Sequence, residues 1–310
     1  MKYIVTGGAG FIGSHIVEQL AEKDHEIVVL DNLFSGNLEN IRPFLSRDTV
    51  TFVRGSITDL PLLTETFEGA DGIFHEGAIA SVPRSVADPR ATNEANVTGT
   101  LNVLVAARDS NVRTVVFASS SSVYGETPEL PKHEEMRPLP LSPYAVSKLT
   151  GEYYLQSFHQ VYGLQTISLR YFNVFGPRQD PESEYAAVIP KFVTAILAGR
   201  PITIFGDGEQ TRDFTYVNDV VQANIRAMGS GAQGVFNIAC NLRISINELA
   251  ARIMEITGRT VPVRHEPARA GDVRDSLADI SRAKLAFGYE PEYTMKDGLG
   301  ETISWYRNQT

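Results

Sequence analysis

The chain has 310 residues, of which 43% are hydrophobic and 21% charged, and its net charge is −9. That length suits one large α/β domain or two smaller ones, and the composition is that of an ordinary globular protein. An acidic chain with no Lys/Arg-rich block lacks the clustered cations that neutralise phosphate backbones, which argues against any nucleic-acid partner. No apolar run approaches the ~20 residues of a membrane span, so no membrane association is expected. Met1–Gly7 reaches glycine too early for a signal-peptide core. Cys240 is the one cysteine, which rules out an internal disulfide and fits a reducing compartment. The expectation is a soluble, cytoplasmic protein.

In chain order, short β-branched runs predict strands at Tyr3–Thr6, Ile27–Leu30, Val50–Arg54, Gly72–His75, Thr114–Ala118 and Gln165–Arg170. Amphipathic segments between them predict helices at Phe11–Lys23, Asp59–Phe67, Asn93–Asp109 and Pro143–Tyr162. Beyond Arg170 the alternation loosens. Gly176-Pro177-Arg178 opens a polar loop that runs to Tyr185. Helices are then predicted near Ile189–Ala198, at Asn218–Met228 and from Ser245, where Ser245-Ile-Asn-Glu248 reads as a capping box. Two more close the chain, near Ser281–Phe287 and Asp297–Tyr306. No internal repeat or low-complexity tract interrupts it.

The turn after the first strand is Thr6-Gly7-Gly8-Ala9-Gly10-Phe11-Ile12-Gly13. Gly7, Gly10 and Gly13 let the turn stay tight and the backbone approach a pyrophosphate, while Phe11 and Ile12 open a helix whose free N–H groups and positive dipole end attract it. Asp31 ends the second strand 18 residues after Gly13, near the spacing of a ribose-binding carboxylate. A carboxylate there repels a 2′-phosphate, and no Arg follows within Asn32–Gly36, so NAD is favoured over NADP. Asn32, Ser56 and Ile57 are placed on the cofactor side. Asp59 reaches the adenine region or caps the next helix. The alternating elements and this turn predict an α/β fold: a Rossmann-type doubly wound parallel sheet with a smaller C-terminal α/β substrate domain. The boundary is set near residue 175, giving an NAD-binding domain over 1–175 and a second domain over 176–310. Residues 215–240 are expected to rejoin the first.

Tyr144-Ala-Val-Ser-Lys148 places a phenol and an ammonium one helical turn apart. Ser142 can cap this helix, Pro143 suits its first position and Gly163 can end it. A free tyrosine ionises near ~10, and a neighbouring positive charge lowers that value, so the pair can move a proton to and from a hydroxyl. Taken alone, the spacing also fits a surface helix contact. Ser119-Ser120-Ser121-Ser122-Val-Tyr124 follows an apolar strand, and strand C-terminal ends line the ligand crevice of an open parallel sheet. The serines and the Tyr144–Lys148 pair are therefore expected to converge. The six His show no metal-ligand spacing, and His75-Glu76 lacks the second His of a zinc helix, so no metal is assigned. His75 is read as a strand-end residue near the cofactor and Cys240 as core.

Together the glycine loop, Ser-Ser-Ser-Ser-Val-Tyr-Gly, Tyr-x-x-x-Lys and Leu169-Arg-Tyr-Phe-Asn173 resemble the extended short-chain dehydrogenase/reductase superfamily, and within it the UDP-glucose/UDP-galactose 4-epimerases. The resemblance runs from residue 1 to about residue 290. It implies that Tyr144 takes the sugar 4-OH proton, that Lys148 binds the nicotinamide ribose and depresses the tyrosine, and that Ser120 is the catalytic hydroxyl. It implies a UDP-sugar substrate. Arg212 resembles the family's diphosphate-binding arginine, Arg269 and Asp272 resemble a second segment touching diphosphate and ribose, and Asn173 resembles the asparagine touching diphosphate or sugar. Arg178 is a further guanidinium candidate, weighed against a solvated surface charge.

By the same resemblance, related dehydratases carry an acidic pair in the serine-loop region, where this chain reads Ser120-Ser121-Ser122, and the decarboxylases usually carry a Glu just before Val-Tyr-Gly. Their absence favours reversible oxidation at C4, which recovers proton and hydride and lets NAD remain bound. A dehydratase, a decarboxylase and a non-enzymatic NAD sensor are the alternatives. Ser276 stands where the family gates the sugar 2-substituent, and a small residue there resembles members that also accept N-acetylhexosamines. Ala80 replaces a lysine found in some epimerases. Asn93–Asp109 and Pro143–Tyr162 resemble the helices that pair across a family homodimer.

Overall fold

Strands β1 (Lys2–Thr6), β2 (Glu26–Asp31), β4 (Gly72–His75), β5 (Thr114–Ser120) and β6 (Gln165–Tyr171) are rich in residues whose side chains are buried on both faces, the pattern of a covered parallel sheet, while β3 (Val50–Arg54) is a partly exposed edge strand. The computed structural model describes residues 1–181, 187–268 and 273–309. Between and beyond these strands come α1 (Phe11–Ala21), α2 (Leu60–Thr66), α3 (Val82–Ala87), α4 (Pro89–Asn93), α5 (Gly99–Asp109) and α6 (Pro143–Tyr162). The second half contains β7 (Val174–Phe175), α7 (Val188–Leu197), β8 (Ile202–Phe205), β9 (Thr211–Arg212), β10 (Thr215–Tyr216), α8 (Val217–Ser230) and β11 (Gly234–Ile238). It ends with β12 (Ile244–Ser245), α9 (Ile246–Thr257), β13 (Val263–Glu266), α10 (Ser281–Phe287) and α11 (Met295–Arg307).

Among the described residues the main sheet has seven strands in the order β11-β6-β5-β4-β1-β2-β3, and every pairing in it is parallel. This is the doubly wound Rossmann-type architecture. Ile16, Val17, Leu20 of α1 and Val220, Val221, Ala223 of α8 close one face. Leu63, Phe67, Val103, Leu104, Leu155 and Phe158, from α2, α5, α6 and the residue after α2, close the other. A separate apolar cluster joins α7, α9 and α11 in the smaller lobe. The strand order reverses between β1 and β4, which opens a crevice at their C-terminal ends.

Several local expectations change. The stretch predicted as one helix from Asn93 is three pieces: α4, a π-turn over Glu94–Thr98, and α5. The Ser245 capping box is half-formed. Ser245 accepts from the Glu248 N–H, but the Glu248 carboxylate takes Arg252 instead. The full box is at the start of α11, between Thr294 and Asp297. Cys240 is half-buried rather than core, beside Asp213, whose carboxylate accepts its N–H at 2.9 Å. Among the described residues no helix is long and apolar enough to cross a membrane.

Candidate active site

The first wall of the crevice is the glycine loop. Gly7 has φ +66°, and a β-carbon there would lie 2.7 Å from the Gly77 Cα, which follows β4. A β-carbon on Gly13 would lie 2.3 Å from the Gly7 carbonyl oxygen, so helix and loop meet at a distance only glycine allows. Gly10 is the N-cap of α1, and no side chain caps it, leaving the first-turn N–H groups of Phe11, Ile12 and Gly13 facing the crevice mouth without a side-chain acceptor. At the end of β2, the buried Asp31 accepts from Ala9 N at 3.0 Å and Leu33 N at 2.8 Å. Burial raises its carboxyl, and the two backbone donors oppose that rise. Each oxygen retains a second lone pair for a hydroxyl. An uncapped helix start, a glycine cradle and an adjoining carboxylate fit a dinucleotide with an unmodified ribose.

The neighbouring positions divide. Asn32 is exposed, and its side-chain oxygen accepts from Phe34 N. Ser56 bonds Thr58 at 2.8 Å. The Ile57 side chain packs against α5, where a β-carbon on Gly99 would lie 2.7 Å from it, and Asn102 donates to the Ile57 and Thr58 carbonyls. Asp59 is the N-cap of α2, accepting from Leu62 N at 3.2 Å. His75 bridges Thr6 at 2.7 Å and Thr100 at 3.0 Å, and burial pushes its imidazole down to about 3, so it is neutral.

The opposite wall is α6. Ser142 accepts from Ala145 N at 3.1 Å, Pro143 takes the first position, and Gly163 ends the helix at φ +73°. The backbone of Tyr144 is fixed by its N–H to the Ser85 hydroxyl on α3, at 3.0 Å. Lys148 is 3% exposed, and its Nζ donates to the Ala118 carbonyl at 2.8 Å. The ammonium lies 5.0 Å from the Phe117 ring centre and 5.9 Å from that of Tyr144. Ser120 hydrogen-bonds the Tyr144 phenol and accepts from Ser122 N at 3.1 Å. The structure therefore brings Ser120, Tyr144 and Lys148 together at the C-terminal end of β5. The Ser122 hydroxyl is buried there without a partner.

The electrostatics differ from the sequence expectation. Burial raises the Tyr144 phenol, the bond from Ser120 lowers it, and the negative charge of Glu76 raises it again. The net direction is upward, with withdrawal from water the largest cause and the Ser120 bond the one opposing it. Sequence reasoning weighed Glu76 only as part of a zinc motif; it follows β4 and accepts from Tyr171 OH at 2.9 Å. Sequence reasoning passed over Asn96 in the π-turn, which bonds Ser147 at 3.0 Å and both backbone groups of Ile79. The available signal for Glu76 was a lone acid placed directly after an apolar strand.

In the smaller lobe, Asn173 has φ +37° and donates to the Asp213 carbonyl at 2.9 Å and to the Ser276 hydroxyl at 3.4 Å. Ser276 N bonds the Thr211 carbonyl at 3.1 Å, and Arg212 donates to that same carbonyl at 2.9 Å. Asn173, Arg212 and Ser276 thus gather around Thr211–Asp213. Arg178 does not join them. Its guanidinium bonds Glu18 at 2.6 Å and Ser14 at 3.4 Å, both on α1, where it lines a separate surface cavity of about 360 Å³ with His15. A carboxylate already neutralises it. Arg269 and Asp272 lie outside the described residues. Among the described residues no group of three or more His, Cys, Asp or Glu could hold a metal.

The sequence model of the NAD dependent epimerase/dehydratase family matches residues 3–239. The chain belongs to that family. It is 41% identical to the UDP-glucose 4-epimerase of Mycolicibacterium smegmatis over the full length of both proteins. Its structure superimposes with TM-score 0.97 on a UDP-N-acetylglucosamine 4-epimerase from Methanobrevibacter ruminantium in complex with UDP-N-acetylmuramic acid. That protein is 43% identical, with 100% of this chain and 99% of the other covered. The Thermus thermophilus UDP-glucose 4-epimerase in complex with NAD gives TM-score 0.91 at 38% identity, with both chains fully covered.

Proposed function

We propose that the protein is an NAD-dependent UDP-sugar 4-epimerase that inverts C4 of UDP-hexoses and accepts UDP-N-acetylhexosamines as well. The observation that carries this reading is the Tyr144 phenol, hydrogen-bonded by Ser120 and set above Lys148 at the C-terminal end of β5, one strand from the switch point. Bound NAD supplies an acceptor for the C4 hydrogen and a positive charge beside the phenol. Tyr144 removes the 4-OH proton and returns it, and Ser120 holds the reacting oxygen. Lys148 binds the cofactor ribose. Gly7, Gly10, Phe11, Ile12, Gly13 and Asp31 form the cofactor cradle, with Asn32, Ser56 and Ile57 at its edge. With Ser121 and Ser122 in place of carboxylates, no side chain in this loop can expel water from the sugar.

Asn173, Arg212 and Ser276 hold the sugar nucleotide, joined by Arg269 and Asp272. A small Ser276 leaves room for an N-acetyl group. In this reading residues 1–175, with 215–240, bind the cofactor, and residues 176–310 the nucleotide sugar. Val146, Tyr153, Val161 and Tyr162 expose apolar surface on α6, which suits a homodimer through α5 and α6. A cytoplasmic location rests on the lone Cys240. The test is incubation with UDP-, dTDP- and GDP-sugars and chromatography of the products. C4 epimers of UDP-sugars are expected, and loss of water or CO2 would contradict the reading. No turnover of UDP-N-acetylgalactosamine would reject the relaxed site.

A further inference from the structure

We propose that Glu76 is a positioning residue of this site, which keeps Lys148 in its ammonium form from the end of β4 while Tyr171 and Asn224 hold its carboxylate in place. The inference rests on the epimerase reading but concerns a residue that reading does not use.

Glu76 cannot shift. Its N–H donates to the Thr6 carbonyl at 3.2 Å, and a β-carbon on Gly7 would lie 2.9 Å from its carbonyl carbon. The residue is therefore wedged behind the cofactor loop. Its Oε1 accepts from Tyr171 OH at 2.9 Å. That phenol oxygen accepts from Asn224 Nδ2 at 2.8 Å, and Asn224 is fully buried on α8 and also donates to the Val220 carbonyl. The hydrogen bonds run in one direction, from amide to phenol to carboxylate, and end on an acceptor. A chain polarised this way stabilises the anionic form at its end.

Among the described residues, β6 sets Tyr171 against that anion and α6 sets Tyr144 and Lys148 near it, with the uncharged Asn224 of α8 behind Tyr171; the ring of the preceding residue, His75, is neutral and bonds Thr6 and Thr100. The β4–β5 register pairs His75 with Phe117, so Glu76, the next residue, stands level with Ala118, whose carbonyl holds the Lys148 Nζ; Lys148 is the cation that attracts Glu76, and the attraction is mutual. Burial drives the two groups toward neutrality, raising Glu76 and lowering Lys148, and each opposes the shift of the other. Among the described residues the Lys148 Nζ donates to a neutral carbonyl, Ala118. Without the carboxylate, a buried amine in that position loses its proton more easily.

The experiment uses Glu76→Gln and Glu76→Asp in the full chain, with two readouts. The first is kcat against pH. An opposite charge at close range is worth roughly 1–3 pH units, so the basic limb of the Gln variant should move down by about 1 unit or more while the Asp variant stays near wild type. The second is urea unfolding of the cofactor-free protein across pH, which does not depend on turnover. The folded-state ionisation of Glu76 is raised, so its contribution to stability is present below its unfolded value near ~4.3 and is lost as pH rises through the folded value. Relative to Glu76→Gln, the wild type should lose stability over that window. The folded-state ionisation of Lys148 is lowered, so stability should climb with pH toward its unfolded value near ~10.4, beginning about 1 unit lower in the Gln variant.

Superimposable pH–rate profiles together with parallel stability curves would overturn the proposal. If Glu76→Gln does not fold, Tyr171→Phe keeps the carboxylate and removes its donor. The acidic limb should then move up, and an unmoved limb would overturn the proposal equally. If the wild type epimerises nothing, the functional reading fails while the stability curves still decide the role of Glu76.

Discussion

Lys148 and Glu152 lie one turn apart on the buried face of α6, and each belongs to a carboxylate–cation arrangement of opposite character. Glu152 meets Arg170 through two hydrogen bonds, 2.8 and 2.7 Å, and accepts a third from Ser119. Both charged side chains are 3% exposed, and the guanidinium stacks 4.6 Å from the Tyr124 ring centre. Burial opposes the charge on Arg170, but Glu152 and Tyr124 together more than offset it and raise the guanidinium further. Glu76 and Lys148 are held instead by separate neutral partners, Tyr171 and the Ala118 carbonyl. In the first arrangement geometry fixes both charges, and it serves as a brace between helix and sheet. In the second there is no direct ion pair, and burial draws both groups toward their neutral forms while each opposes the shift of the other. The helix thus presents a fixed ion pair one turn behind a titratable pair, and the fixed pair keeps the other in register.

The comparison can be broken first at the phenol. Tyr144→Phe removes the proton carrier and should lower kcat on the order of 10³-fold or more, with NAD affinity unchanged by fluorescence titration. Residual turnover near wild type would transfer the proton role elsewhere. Arg170→Met leaves Glu152 buried and unpaired, and should cost about 3–5 kcal/mol in urea unfolding while kcat of the folded fraction persists. A large kcat loss with little loss of stability would erase the distinction between brace and site. Ser119→Ala removes a single donor from the braced carboxylate and should cost roughly 1–3 kcal/mol, with an unchanged pH–rate profile. A shifted profile would show that the brace titrates with the site.

Much of this was legible in the sequence because it is local. The Ser142–Pro143 start and Gly163 end of α6, the first six strands and the glycine turn each depend on residues within a few positions of one another. Elements that needed the fold itself were not legible. Residues 215–240 are expected to rejoin the first domain, but the strand within them, β11, is not predicted, because it forms only where the chain lies beside β6. The short α3 and the π-turn of Glu94–Thr98 follow from packing around Ser85 and Asn96 rather than from periodicity. Glu76 finds its hydrogen-bond donor 95 residues away, on β6. The direction of the Tyr144 ionisation turned on burial, a tertiary quantity, whereas the Tyr-x-x-x-Lys spacing displays only the charge. Arg178 looked like a phosphate ligand by type, but the partner that claims it, Glu18, lies on the first helix.

The most direct test of the account is conversion of UDP-galactose carrying deuterium at C4, with the product analysed by mass spectrometry and NMR. The account predicts UDP-glucose with the deuterium still on C4, no accumulation of reduced cofactor, and none of this conversion with Tyr144→Phe. A deoxy or decarboxylated product, or an epimer whose C4 deuterium has exchanged with water, would contradict it.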